Sequence, residues 1–341
     1  MFGSKHLYFK LAGAAAAVAM SVAALPALAV DITGAGATFP YAVYTKWAEA
    51  YKAASGNQVN YQGIGSSGGV KQIKAKTVDF AGTDAPVKES DLDAAHLVQF
   101  PTVMGGVTIV VNLPGVASGQ LKLDGATAAD IFRGTITKWN DPRIAKLNPG
   151  VKLPGTAITI SHRSDGSGTT FVFTNYLAKQ SADFKRDVGA GNTVNWPANA
   201  VGGKGNPGVA ANVMKIPGAI GYVDIADAMK NKMTFVALKN KAGNYIVPNQ
   251  DAVADAAAGA NFHVRGMAPD LLDQSHKNAW PITSATYVLA YEQADATKQK
   301  AVVDFFKWSL NNGQKMAEEL GFVALPPNVV KMVEAEMKNI K

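Results

Sequence analysis

The chain has 341 residues, of which 48% are hydrophobic and 17% charged, with 33 Gly, 16 Pro and no Cys. That composition belongs to globular proteins with room for about two domains, and it excludes disulfide frameworks, thiolate metal sites, cysteine nucleophiles and lipidated cysteine anchors. The formal charge of +7 comes from 33 Lys and Arg against 26 Asp and Glu, a bias that suits acidic partners but is too diffuse to indicate nucleic acid.

Residues 1–29 read as an export signal: Lys5 and Lys10 form a basic leader, residues 11–25 an apolar stretch, and Ala27-Leu28-Ala29 a small-x-small cleavage site. The apolar stretch stops before Pro26 and falls short of the ~20 residues a membrane-spanning helix needs. Cleavage after Ala29 and an exported, soluble mature chain are therefore expected.

Beyond the signal, short strands are predicted at residues 30–32, 58–61, 78–82 and 107–111. They alternate with helical stripes, the pattern of an α/β protein whose mainly parallel sheets are covered on both faces. Pro40 opens a helix through Ala54 that buries Val43, Trp47, Ala50 and Tyr51, and Gly56 stops it. Val70, Ile73 and Thr77 mark a second helix after Ser66-Ser67-Gly68-Gly69, and Phe173, Tyr176 and Leu177 a third after Gly166-Ser167-Gly168. Val302, Phe305, Phe306 and Leu310 mark a fourth. The Gly- and Pro-rich run from Gly202 through Gly208 reads as a surface loop, and Pro217-Gly218 as a turn. Without a low-complexity linker, two domains require the chain to cross between them more than once, and residues 103–106 and 280–282 are candidate crossings.

Three turns set small or hydroxylated residues just before a predicted helix: Gly34-Ala35-Gly36-Ala37-Thr38-Phe39, Gly63-Ile64-Gly65-Ser66-Ser67-Gly68-Gly69 and Arg163-Ser164-Asp165-Gly166-Ser167-Gly168-Thr169. A helix N-terminus exposes backbone N–H groups and partial positive charge, so small side chains there let an anion approach the backbone. One such turn is ordinary capping; three in an exported α/β chain, one of them with an Arg, point to a shared anion site. Gly63, Gly65 and Gly68 also satisfy a dinucleotide pattern with Asp84 downstream, but export argues against nicotinamide chemistry. Gly65-Ser66-Ser67-Gly68-Gly69 fits G-x-S-x-G, which would make Ser67 a hydrolase nucleophile, although glycine-rich turns match that pattern by chance. Gly202-Gly203-Lys204-Gly205 lacks the Ser/Thr that a P-loop needs after its Lys, and His96, His162, His263 and His276 show no metal-ligand spacing.

Taken together, these residues resemble the periplasmic phosphate-binding proteins of phosphate-specific ABC transporters. The resemblance spans the mature chain and is densest in residues 33–40, 60–73, 78–86, 165–173, 217–222 and 279–284. It implies a type II periplasmic-binding-protein fold with two α/β lobes, residues 30–104 with 282–341 and residues 105–281, joined by a hinge that closes on a ligand in the interdomain cleft. It further implies phosphate ligands at Thr38, Phe39, Ser66, Asp84, Arg163, Ser167, Gly168 and Thr169, with Asp165 orienting Arg163. Hydroxyls, backbone N–H groups and the guanidinium fork would donate. Asp84 would accept a proton from phosphate, and an anion without one, such as sulfate, would be rejected by roughly 10⁴-fold or more. A monomeric periplasmic receptor that delivers phosphate to a membrane permease, without cofactor, metal or catalysis, is what the resemblance implies. The alternatives are an exported phosphatase using Ser67 or a hydroxyl of the third turn, and an adhesion or signalling protein on the same scaffold.

Overall fold

The computed structural model describes Phe2 and residues 29–341. Apart from Phe2 and Ala29, the expected export signal lies outside the described residues. Among those residues no helix is long and apolar enough to cross a membrane.

The described residues form twelve strands, in chain order β1 (Asp31–Gly36), β2 (Gln58–Gly63), β3 (Phe80–Thr83), β4 (Leu97–Val111), β5 (Lys122–Leu123), β6 (Thr159–Arg163), β7 (Val201–Gly203), β8 (Ala219–Asp224), β9 (Thr234–Phe235), β10 (Ala237–Lys239), β11 (Tyr245–Ile246) and β12 (Thr283–Tyr291). Nine of them make one sheet in the order β2-β1-β3-β12-β4-β8-β6-β7, with β9 also paired to β4; β11-β10-β5 form a small second sheet.

The expectation of mainly parallel pairing holds at the two flanks and fails in the centre. β1 runs parallel to β2 and β3, and β6 parallel to β7 and β8. β12 is antiparallel to β3 and β4, and β4 antiparallel to β8. The cause is a strand shared by both flanks: β4 pairs with β12 as far as Gly106 and with β8 from Val107 onward. A chain that crosses the sheet on β4 and returns on β12 must run in opposite directions on the two. All fifteen residues of β4 are buried, yet only its last five read as a strand in the sequence, because Pro101, Gly105 and Gly106 look like breakers. Pro101 sits beside a bulge where the register shifts between Thr286 and Tyr287, and Thr102 is passed over.

Helices cover the sheet. The first, Tyr41–Ser55, buries Val43, Tyr44, Trp47 and Tyr51, with Ala50 only half-buried, and ends at Gly56 in a left-handed conformation whose N–H bonds to Lys52 O. Each large side chain so buried contributes about 1.5–3 kcal/mol. The second, Ser66–Lys74, takes Ser66 to Gly69 into its first turn instead of following it, and stops short of Thr77. The third, Gly168–Gln180, begins on Ser167 as N-cap, and Ala296–Asn312 is the fourth. The run from Gly202 to Gly208 is not a surface loop: β7 leads through a turn at Gly205 into a helix, Gly205–Lys215. Gly205 has φ +67°, and Pro207 falls in the first turn, where its missing N–H costs nothing.

Candidate functional site

The three turns converge where the β1–β3 flank meets the β6–β8 flank. β1 delivers Thr38 and Phe39, the start of the second helix supplies Ser66, and β3 is followed by Asp84. β6 ends at Arg163, and the next turn carries Asp165, Ser167, Gly168 and Thr169. Ser66, Ser167 and Thr169 are fully buried, Asp84 is 1% exposed and Arg163 4%. Phe39 packs its ring on Phe322 edge to face, with centroids 5.7 Å apart, and Thr38 is half-buried at the rim of a cleft of about 600 Å³.

Ser66 is the meeting point. Its Oγ accepts the Gly168 N–H at 3.0 Å from the opposite flank and the Asp84 N–H at 3.3 Å, and donates to Asp84 Oδ2 at 3.5 Å. Asp84 Oδ1 accepts from Thr286 Oγ1 at 2.8 Å, a side chain that β12 presents at the bulge. Burial pushes the Asp84 carboxyl up to about 7, against the opposing pull of the Thr286 hydroxyl, the Arg163 charge and Ser66.

Arg163 is fixed on two sides. Its Nε donates to Asp165 Oδ1 at 2.8 Å and Nη2 to Asp165 Oδ2 at 2.5 Å, a bidentate pair. Nη1 donates to Asn206 Oδ1 at 2.7 Å and to Thr169 Oγ1 at 3.3 Å. Burial alone would raise the Asp165 carboxyl; the Arg163 fork outweighs it and holds the group below its ordinary value. Ser167 Oγ caps the third helix by accepting from Thr170 N at 3.0 Å, so its hydroxyl proton is still available to donate. Thr170 Oγ1 and the Arg163 N–H both reach Tyr222 OH, which stacks on Phe173 at 4.4 Å and so ties the turn to the core.

The arrangement is one guanidinium, several hydroxyls and a helix N-terminus around one buried carboxylate, a set that can hold an anion carrying a proton. Comparison with known proteins agrees with the fold and narrows the family. A profile of the PBP superfamily domain matches residues 17–312. A protein of Xylella fastidiosa strain 9a5c named phosphate-binding protein PstS is 51% identical over 90% of this chain and 84% of its own. Its namesake in Pasteurella multocida is 48% identical over 94% of each. The chain belongs to the PstS family. A crystal structure of a phosphate-binding protein from Stenotrophomonas maltophilia shares the fold at a TM-score of 0.72 and 21% identity, covering 90% of this chain and 94% of that one. One from Clostridium perfringens, titled a putative phosphate ABC transporter substrate-binding protein with bound phosphate, does so at 0.63 and 17%, over 87% and 100%.

All eight residues expected as ligands fall around this junction, with Asp165 behind Arg163. Sequence reasoning missed Thr286, Asn206 and Asp224, the last of which ends β8 and accepts from Asn206 Nδ2 at 2.5 Å. Thr286 sits in an apolar strand 202 positions from its partner, a distance no local pattern spans. Asn206 carried a readable signal, since Gly202 to Asn206 repeats the glycine turn before a helix seen three times elsewhere.

Gly168 is where the two flanks come nearest. A Cβ there would collide with Ser66 Oγ and lie 2.7 Å from Asp84 Cβ and Oδ2. Gly168→Ala should therefore hold the flanks apart, with a tenfold or greater loss of phosphate affinity, about 1.4 kcal/mol. Calorimetric titration against wild type checks this, and equal affinity would show that the contact is not needed.

Proposed function

We propose that this chain is a periplasmic solute-binding receptor that captures inorganic phosphate and delivers it, unchanged, to the membrane permease of a phosphate ABC transporter. In this reading residues 30–104 with 282–341 form one lobe and residues 105–281 the other, and phosphate binds between them. The observation that carries it is the buried junction itself, where Asp84 and Ser66 from one lobe meet Arg163, Ser167, Gly168 and Thr169 from the other. Arg163 supplies the cation, the hydroxyls and the N–H groups of Phe39 and the third turn supply donors, and Asp84 accepts the phosphate proton. A phosphatase reading would use Ser67, but its Oγ accepts from the Asn192 amide at 3.1 Å, a group that cannot take up its proton.

Isothermal titration with phosphate and with sulfate, small-angle scattering with and without saturating phosphate, and a phosphomonoester turnover assay test the proposal together. Tight one-to-one phosphate binding, weak sulfate binding, a smaller radius of gyration on saturation and no turnover are expected. Turnover would favour the phosphatase; indifference between the two anions would remove phosphate as the ligand; unchanged scattering with proven occupancy would remove the hinge.

A further inference from the structure

We infer that Asn206 is a positioning residue for Arg163, an inference that rests on the phosphate reading above. Asn206 is fully buried, and both ends of its amide are bonded. Its Oδ1 accepts from Arg163 Nη1 at 2.7 Å, its Nδ2 donates to Asp224 Oδ2 at 2.5 Å, and its backbone N–H donates to Thr38 Oγ1 across the cleft at 3.2 Å. The other oxygen of Asp224 is engaged too, accepting the Asp227 N–H at 2.8 Å.

These bonds fix which way the amide points. Arginine can only donate, so the atom facing Arg163 must be oxygen, and the NH₂ is thereby turned to Asp224. A guanidinium has five N–H groups. Asp165 takes Nε and one N–H of Nη2, while Asn206 and Thr169 take the two of Nη1. That leaves the second Nη2 N–H for an anion, with the long Thr169 bond as the one most readily exchanged. Asp165 alone would hold one edge of the guanidinium; Asn206 holds the end that Asp165 cannot reach. It does so without adding a second negative charge beside the one cation of the site. Burial and the neighbouring Asp227 charge push the Asp224 carboxyl well above its ordinary range, and Asp224 can accept from Asn206 whether or not it is protonated.

Two variants test the role. Asn206→Ala removes both side-chain bonds and should weaken phosphate binding about tenfold or more at any pH. Asn206→Asp keeps the shape and introduces a group faced by Arg163 and Asp165 from the third turn, Asp224 from β8 and Asp227 from the helix after it. Protonated, that carboxyl accepts from Arg163 and donates to Asp224 as the amide does; ionised, it neutralises Arg163 and opposes Asp224. Because the Arg163 charge favours the ionised form, its phosphate affinity measured against wild type near pH 7 should be about 30-fold weaker. A residue that merely fills space tolerates this isosteric change, so an unchanged affinity for Asn206→Asp overturns the positioning role. Unimpaired binding by Asn206→Ala overturns it as well. If wild type itself binds no phosphate in the same titration, the functional reading falls and this inference falls with it; binding by wild type with indifferent variants removes this inference alone.

Discussion

Arg163→Ala should weaken phosphate binding at least a hundredfold, about 2.7 kcal/mol. A charge-assisted hydrogen bond is worth about 1.5–3 kcal/mol, and removing one partner also leaves buried groups unpaired. Here the abandoned groups are Asp165, left with the Gly205 N–H at 3.0 Å, and Asn206 Oδ1. Phosphate would then face Asp84 and Asp165 with no cation between them, and Asp84 would lose one of the influences that hold its carboxyl down. Arg163→Lys keeps the charge, but a single ammonium cannot span Asp165, Asn206 and a ligand together, so an intermediate loss is expected. Because the site is buried, the wild-type affinity should change little with salt. Titration of the three proteins at one pH and ionic strength decides: a loss under tenfold for Arg163→Ala would mean that backbone and hydroxyl dipoles hold the anion.

Much of this junction could be read from the chain because its parts are local. Each of the three turns is a contiguous run of small and hydroxylated residues at a helix start, and capping chemistry leaves that mark whatever the rest of the fold does. The first helix was legible for the same reason, since its apolar stripe and its Gly56 stop lie within one stretch of chain. What escaped was one local turn whose glycines and proline have two readings, together with pairings between residues far apart. Glycine and proline read as breakers at Gly202 to Gly208, yet there the positive φ of Gly205 and the position of Pro207 start a helix and bring Asn206 under Arg163. Likewise, β4 could be seen as one strand only once both β12 and β8 were there to pair with it, and Thr286 reaches Asp84 only because the bulge between β4 and β12 sets its register.

Asp84→Asn should change selectivity, pH dependence and stability together. Phosphate keeps a proton in both its monobasic and dibasic forms, so wild type can hold it with Asp84 ionised or protonated, and its affinity should vary little across neutral pH. Sulfate brings no proton and can be held only while Asp84 carries one. With burial placing that carboxyl at about 7, sulfate affinity should fall as pH rises through this value, approaching tenfold per pH unit above it. In the variant, the amide can turn its NH₂ to an unprotonated oxygen at any of these pH values. The sulfate slope should then vanish, and near pH 8 the phosphate-to-sulfate preference should shrink by at least ~1.4 kcal/mol, or tenfold.

The stability of phosphate-free protein carries the same sign. An Asp near 3.9 in the unfolded chain and about 7 when folded binds more protons in the native state, so wild-type stability is greatest below about pH 4 with respect to this group and declines as pH rises to 7. The decline from Asp84 alone amounts to roughly 4 kcal/mol, and Asp84→Asn should remove it from the urea midpoint measured against pH. Competition titrations and those unfolding curves report independently on one carboxyl. If the variant rejects sulfate as strongly as wild type does near pH 8, Asp84 is not the proton acceptor, whatever its effect on folding.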